Sequence, residues 1–166
     1  GRDPSHMAIT PSGVAAEDLD PKGLSIISLD GKTVEAGSTK PSMETGMHCA
    51  CYLSKPGTQA IVHTHSPYAT AFAVRGIPIP PVTFEAGFYG ASVGLVPVFP
   101  PGSAELAQAI RAPLAQADVV LLQSHGVLVC GQDIEEALLR AEYVERVAKV
   151  AILAGALAGV ELPSLL

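Results

Sequence analysis

Two short apolar runs, separated by only two residues, constrain the fold of this chain more than any other feature. Residues 118–123 and 126–130 are rich in valine and leucine, and they flank the dipeptide Ser124-His125. Runs of this length and composition predict strands of the buried type. The chain therefore needs a central sheet that other elements cover.

Four segments carry the start signals of helices that could cover such a sheet. Each begins after a residue whose side chain can accept a backbone hydrogen bond, and one has proline in its first position. The predicted helices are 43–53, 67–74, 104–115 and 134 to about 158, capped by Ser42, Ser66, Ser103 and Asp133. The last carries an apolar stripe through Ile134, Leu138, Ala141 and 144–147.

The remaining strands are predicted from shorter patterns. Residues 24–29 and 32–35 flank Asp30-Gly31, which is a strong hairpin signal. Residues 59–65 form a third apolar, β-branched run, and 76–102 predict an irregular connection with short strands. Because strands and helices alternate without a strict βαβ repeat, we expect an α/β domain with a central, mainly antiparallel mixed sheet.

Length and charge limit the domain organisation and the partners. Residues 1–6 have the character of an expression-tag remnant, and residues 7–166 are long enough for a single domain. The net charge of −6 argues against nucleic acid or an anionic membrane as the main partner. No uninterrupted apolar stretch approaches the roughly 20 residues that span a bilayer. Charged residues make up only 16% of the chain, which favours burial of some surface between subunits.

The cysteines indicate the cellular compartment. Cys49, Cys51 and Cys130 are odd in number and lack the spacing of a zinc ribbon. Reduced thiols in a cytoplasmic protein are therefore the expectation, with all three serving as small core residues.

Three histidines form a candidate metal site. His63 and His65 lie two apart on a predicted strand, so their imidazoles leave the same face. Such a pair alone is equally well explained by hydrogen-bonded histidines without a ligand. His125, at the end of a buried strand, adds a third imidazole, and three ligands with an open position are typical of a catalytic divalent site. Nitrogen ligands fit zinc first, and also cobalt, manganese, nickel or iron.

Glu44 is the candidate catalytic residue beside this site. We place it in the first turn of the helix capped by Ser42, where the helix N-terminus stabilises a carboxylate. It could bind the metal or transfer protons; the alternative is an ordinary first-turn glutamate. His48, four residues later, shares a helical face with Glu44 and could orient it.

These residues, in this order, resemble the class II aldolase/adducin family. The likeness rests on Glu44, His63-Thr64-His65 and Ser124-His125-Gly126, extends over 9–13, 40–44 and 123–131, and spans residues 9–158. It implies a three-layer α/β/α fold, usually a homotetramer, with zinc on the three histidines. Glu44 matches the glutamate that moves protons in the family's aldolases, whereas its epimerases tend to carry aspartate and its adducins lack the histidines.

The resemblance implies a metal-dependent lyase that cleaves a small, phosphorylated hydroxyketone or sugar through a metal-bound enediolate. Ser12, Gly13 and Ser42 match the phosphate-binding positions. The same site could support an epimerase, a dehydratase or a decarboxylase.

Several departures from the family keep a second interpretation open. From the resemblance we expect residues 7–166 to lack the family's N-terminal segment and C-terminal tail. Met43 replaces a serine, and Phe84 replaces a proton-donating tyrosine. Tyr89 could substitute as the donor, or be an ordinary packed aromatic residue. The alternative function is therefore an inactive, adducin-like assembly module.

Overall fold

The computed structural model of the chain describes residues 5–89 and 92–156, without the side chains of residues 88 and 89. Strands β1 (His6–Ile9), β2 (Ser25–Ser28) and β3 (Thr33–Glu35) form a small antiparallel sheet. A second sheet contains β4 (Ala60–Thr64), β5 (Val93–Val96), β6 (Val119–Leu122) and β7 (Gly126–Gly131), in the order β4-β7-β6-β5. The helices are α1 (Thr45–Ser54), α2 (Pro67–Arg75), α3 (Phe84–Tyr89), α4 (Ala104–Ala109), α5 (Arg111–Leu114) and α6 (Ile134–Ala156).

The four-stranded sheet is the middle layer of three, which confirms the predicted fold class. Its β4–β7 and β7–β6 pairs are antiparallel, and its β5–β6 pair is parallel. On one face, Leu121 and Val129 pack with residues of α2 and α6. On the other face, Val120 and Leu128 pack with residues of α1, α4 and α5. Because both faces are covered, every residue of β6 and β7 is buried, as the two apolar runs predicted.

The predicted hairpin is present and is extended by a third strand. β2 and β3 join at Asp30-Gly31, and Gly31 has a φ of +89°, a conformation that glycine adopts without strain. β1 adds to the outer edge of β2, with His6 opposite Ser28. His6 belongs to the segment 1–6 that has the character of a tag remnant, yet in the structure it begins this strand.

The helix predicted over 104–115 is divided into α4 and α5. Ser103 caps the first part as expected, since its hydroxyl accepts the backbone N–H of Leu106 at 3.1 Å. The division occurs at Ile110, because α4 ends at Ala109 and α5 begins at Arg111. Ala109 lies four residues before Pro113. Proline lacks an N–H and its ring crowds the carbonyl four residues earlier, so a continuous helix is disfavoured here. The irregular segment 76–102 also contains α3, which the sequence did not predict.

The apolar stripe predicted for α6 is wrong at its N-terminal end. Ile134 and Leu138 are 62% and 51% exposed, whereas Ala137, Val144 and Val147 are buried. The helix approaches the sheet closely through its small residues. A Cβ on Gly131 would lie only 2.6 Å from the backbone nitrogen of Ala137, so at this point α6 passes too close to β7 for a larger side chain. Within the described residues, no helix is long and apolar enough to cross a membrane. The predicted end of α6 at residue 158 lies outside the described residues.

The burial pattern predicts that two leucines contribute very differently to the free energy of unfolding. Leu121→Ala should lower the free energy of unfolding by about 2–5 kcal/mol, because it leaves a cavity in the core. Leu138→Ala, on the exposed side of α6, should change it by about 0.5 kcal/mol or less. Urea unfolding followed by circular dichroism measures both. Equal losses in the two variants would contradict the assignment of the buried face of α6.

Candidate metal centre

The pairing of β4 with β7 brings the three histidines together. His63 lies in β4, His65 directly follows it, and His125 lies in the turn between β6 and β7. Since β4 and β7 are antiparallel, with Thr64 opposite Val127, the end of β4 lies beside this turn. The three ring centroids are 4.8–5.1 Å apart. One potential ligand atom from each histidine lies within 4.8 Å of the others.

The positions of His63 and His65 differ slightly from the prediction. The sequence predicted both His63 and His65 on one strand, but β4 ends at Thr64. His65 lies just beyond the last paired residue and is the most exposed of the three histidines. Its ring still lies 5.1 Å from that of His63.

His63 is held in a form suited to metal binding. Its Nδ1–H donates to the carbonyl oxygen of Val127 at 2.9 Å, which leaves Nε2 with a free electron pair. Burial lowers the pKa of His63 to about 4, so the ring is neutral at physiological pH. Burial also lowers the pKa of His125, against an opposing effect from the nearby Glu44. Neutral imidazoles are the state in which histidine binds a metal.

Glu44 lies at the N-cap position of α1 rather than in its first turn, because the helix begins at Thr45. The Ser42 hydroxyl does not cap the helix as predicted. It accepts the backbone N–H of Glu44 at 3.1 Å, and the Ser42 carbonyl accepts that of Thr45 at 3.2 Å. This turn leaves Glu44 only 7% exposed.

Buried polar atoms without partners are concentrated at this site. Among the described residues, six buried side-chain nitrogen or oxygen atoms lack a hydrogen bond, and three of them are Glu44 Oε2, His63 Nε2 and His125 Nδ1. Buried polar groups are normally paired, and each orphan costs about 1–3 kcal/mol. Nitrogen and carboxylate atoms grouped in this way fit one divalent ion with an adjacent acid or base.

His48 lies beside the three histidines but outside their group. Its ring centroid is 6.4 Å from that of His63, and burial lowers its pKa. Its Nδ1 lies 3.0 Å from the backbone carbonyl oxygen of Glu44, so the contact involves the main chain and not the carboxylate. His48 thus supports the backbone that presents Glu44.

The predicted phosphate-binding residues lie on two adjacent segments. Ser12 N–H donates to the Lys40 carbonyl at 2.9 Å, and Ser42 N–H donates to that of Thr10 at 3.0 Å. These bonds place Ser12 and Gly13 next to the turn that leads to Glu44, and Gly13 has a φ of +71°.

The two aromatic candidates belong to α3. Phe84 begins this helix and is 79% exposed. Tyr89 ends it, and its side chain lies outside the described residues. The candidate proton donor therefore stays a prediction.

The turn that carries His125 has two features that sequence analysis missed. Ser124 has a φ of 58°, an uncommon conformation for a residue with a side chain. A Cβ on Gly126 would lie 2.3 Å from the carbonyl oxygen of Thr64 and 2.9 Å from Cδ2 of His65. No sequence pattern indicates the backbone conformation of Ser124. The need for glycine at position 126 arises from the neighbouring strand β4, which local sequence does not reveal.

Comparison with known proteins identifies the family. Residues 1–152 match the model of the class II aldolase and adducin N-terminal domain. The chain belongs to this family. An L-fuculose phosphate aldolase of Methanococcus maripaludis is 35% identical over 149 residues, which cover 90% of this chain and 80% of the relative. A 3-oxo-tetronate 4-phosphate decarboxylase of Escherichia coli is 34% identical over 155 residues, which cover 90% and 72%.

The fold of this family is also the fold observed here. A solved L-fuculose 1-phosphate aldolase superposes with a TM-score of 0.87 at 32% identity, covering 96% of this chain and 75% of the other. The resemblance inferred from the histidines and Glu44 is thus confirmed at the level of family and fold.

The close approach at Gly126 predicts a specific effect on the metal site. Gly126→Ala should weaken binding of a divalent ion about tenfold or more, because the new methyl group must displace Thr64 and the ring of His65. Isothermal titration with Zn²⁺ measures the affinity. The matched control is Gly155→Ala in α6, where a Cβ would meet no atom within 4 Å. Equal affinities in the two variants would contradict the prediction.

Proposed function

We propose that this chain is a metal-dependent lyase of the aldolase type, acting on a small phosphorylated hydroxyketone or sugar. In this proposal His63, His65 and His125 hold one divalent ion, and Glu44 transfers the proton. The observation that carries it is the buried, unpaired Oε2 of Glu44, a residue whose charge acts on His125 of the three clustered imidazoles. Two of these imidazoles also have an unpaired buried nitrogen. Burying a carboxylate costs free energy unless the carboxylate is paired with a positive charge or hydrogen-bonded.

The donor set supports zinc, with cobalt, manganese, nickel and iron as alternatives. Histidine ligands carry no negative charge, so three of them leave the full positive charge on the ion, which when bound supplies a Lewis acid that polarises a carbonyl oxygen. Nitrogen donors suit all five metals, so the element is a matter for measurement. The Val127 carbonyl orients His63 for this role, because it accepts the hydrogen of the opposite ring nitrogen.

Glu44 is proposed as the group that moves the proton. In the direction of bond formation, its carboxylate takes a proton from the carbon next to the carbonyl. In the direction of cleavage, it returns a proton to that carbon. Its low exposure keeps water away from the carboxylate, and the hydrogen bond from its N–H to Ser42 holds its backbone.

Ser12, Gly13 and Ser42 are proposed to bind the substrate phosphate. The Ser42 oxygen accepts a hydrogen bond from Glu44, which leaves its hydroxyl hydrogen available to an anion. The adjacent backbone bonds connect this position to Ser12 and Gly13. The names of the two similar proteins support a phosphorylated substrate, since each name contains a phosphorylated sugar or a phosphorylated sugar-like acid.

A decarboxylase is the second candidate. The Escherichia coli relative is named for that activity, and its identity to this chain is nearly that of the aldolase relative. Loss of carbon dioxide and cleavage of an aldol both leave a carbanion next to the carbonyl. Glu44 would return a proton to that carbon in either reaction.

Assembly and location are further proposals. The 79% exposed Phe84 supports a subunit interface, and the family resemblance implies a homotetramer. Cys49, Cys51 and Cys130 are all free thiols, which supports a cytoplasmic location.

The metal centre predicts the metal content of three variants. Protein purified without a histidine tag should contain about one divalent ion per chain, and His63→Ala or His125→Ala should lose it. His48→Ala is the matched control and should retain the ion, because His48 does not belong to the group of three histidines and its Nδ1 bonds the Glu44 backbone. Elemental analysis by mass spectrometry measures all four proteins. Unchanged metal content in the His63 and His125 variants would eliminate this centre.

The role of Glu44 predicts a separation of metal binding from turnover. Glu44→Gln should reduce kcat about 10²–10⁴-fold while metal content stays unchanged, because the amide cannot accept the proton. Glu105→Gln, in the exposed first turn of α4, is the control and should have no effect. The assay follows aldehyde release from a panel of ketose 1-phosphates.

The products separate the candidate functions. Carbon dioxide release from a 3-oxo acid phosphate, without cleavage of ketose phosphates, would replace the aldolase with the decarboxylase. Isomerised substrate would indicate an epimerase, and loss of water a dehydratase. Metal-loaded protein that is inactive on every substrate class would favour the adducin-like module.

A further inference from the structure

The start of α2, two residues after His65, is held by a residue far away in sequence. Pro67 occupies the first position and has no N–H, so the first turn has three backbone donors to satisfy, on residues 68–70. The N–H of Thr70 donates to the Ser66 carbonyl at 2.9 Å. The other two donors need an external acceptor.

Ser66 occupies the N-cap position, but its side chain does not supply that acceptor. Its hydroxyl lies 3.0 Å from the hydroxyl of Thr64 instead. The acceptor is Glu145 of α6. Its Oε1 accepts the N–H of Tyr68 at 3.1 Å, and its Oε2 accepts that of Ala69 at 2.9 Å. Every donor of the first turn is therefore paired.

This arrangement is strong for two physical reasons. Hydrogen bonds to an ionised carboxylate are stronger than those between neutral groups. The carboxylate also lies at the positive end of the helix dipole, where negative charge is stabilised. Glu145 thus fastens the first turn of α2 firmly to α6.

The fastened turn affects the position of His65. Ser66 is the only residue between His65 and the fastened turn, and His65 lies beyond the last paired residue of β4. Among the described residues, no hydrogen bond holds its ring, and it is the most exposed of the three histidines. On its other side, Gly126 approaches Cδ2 closely. The backbone of His65 is thus set by β4 before it and by the Glu145-bound turn after it.

We propose that Glu145 is a positioning residue for the metal centre, fixing His65 at the distance from His63 and His125 that one ion requires. The inference rests on the metal site of the proposed function. Glu145 touches neither the ion nor the substrate, and acts through the backbone of residues 65–69. α6 also packs on the sheet through the apolar residues Val144, Val147 and Ala148.

The test measures metal affinity and stability separately. Glu145→Ala removes both acceptors, and Glu145→Gln keeps one. Glu142→Ala is the matched control, since it removes an exposed carboxylate from the same helix. Co²⁺ titration, followed by its visible absorption, reports affinity and ligand geometry at a temperature where each variant is folded. We expect Glu145→Ala to weaken Co²⁺ binding about 10–100-fold, Glu145→Gln to weaken it less, and Glu142→Ala to leave it unchanged.

The possible results distinguish a failure of the Glu145 role from a failure of the metal centre itself. A lower Tm for the Glu145 variants with unchanged Co²⁺ affinity and spectrum would overturn it, because Glu145 would then be a helix cap only. If Glu145→Ala does not fold, Glu145→Gln carries the same comparison. Wild-type protein that binds no Co²⁺ would overturn the metal centre and this inference together. Co²⁺ binding that depends on Glu145, in a protein without lyase activity, would support the inference and reject the proposed reaction.

Discussion

The antiparallel pairing of β4 with β7 is the interaction on which the site depends. Its register places Thr64 opposite Val127, so the end of one strand meets the beginning of the other. From this follow the hydrogen bond between His63 and the Val127 carbonyl and the contact of Gly126 with His65. A shift of one residue would turn every side chain of β4 to the opposite face and separate the histidines.

Burial gives this pairing its rigidity and gives the site its chemistry. β7 is covered on both faces, so its register is fixed by two hydrophobic layers and not by the turn alone. The same burial removes water from His63 and Glu44 and leaves their polar atoms without partners. Each such atom destabilises the fold by about 1–3 kcal/mol, and a bound ion or substrate would offset that cost. The site is therefore a place where stability is lowered in favour of binding.

Two helices complete the site from opposite faces of the sheet. α1 begins directly after Glu44, and α2 begins two residues after His65. Packing on the sheet positions the body of each helix. The hydrogen bonds of Ser42 with Glu44, and of Glu145 with the start of α2, hold these two turns. The two candidate site residues Glu44 and His65 are thus held by hydrogen bonds from residues outside the group of three histidines.

Local patterns in the sequence determined most of the elements, though not β1 or α3, and the family to which the chain belongs. They also singled out the three histidines and Glu44 as candidate site residues. Alternation and apolar runs are properties of neighbouring residues, so strands such as β6 and β7 could be predicted without a structure. The tertiary structure alone decided which backbone atoms support the site. Glu145 is 76 residues from Ala69, and nothing near either residue indicates their contact. Likewise, the exposure of Leu138 and the need for glycine at position 126 arise from close packing between distant elements, which local sequence does not encode.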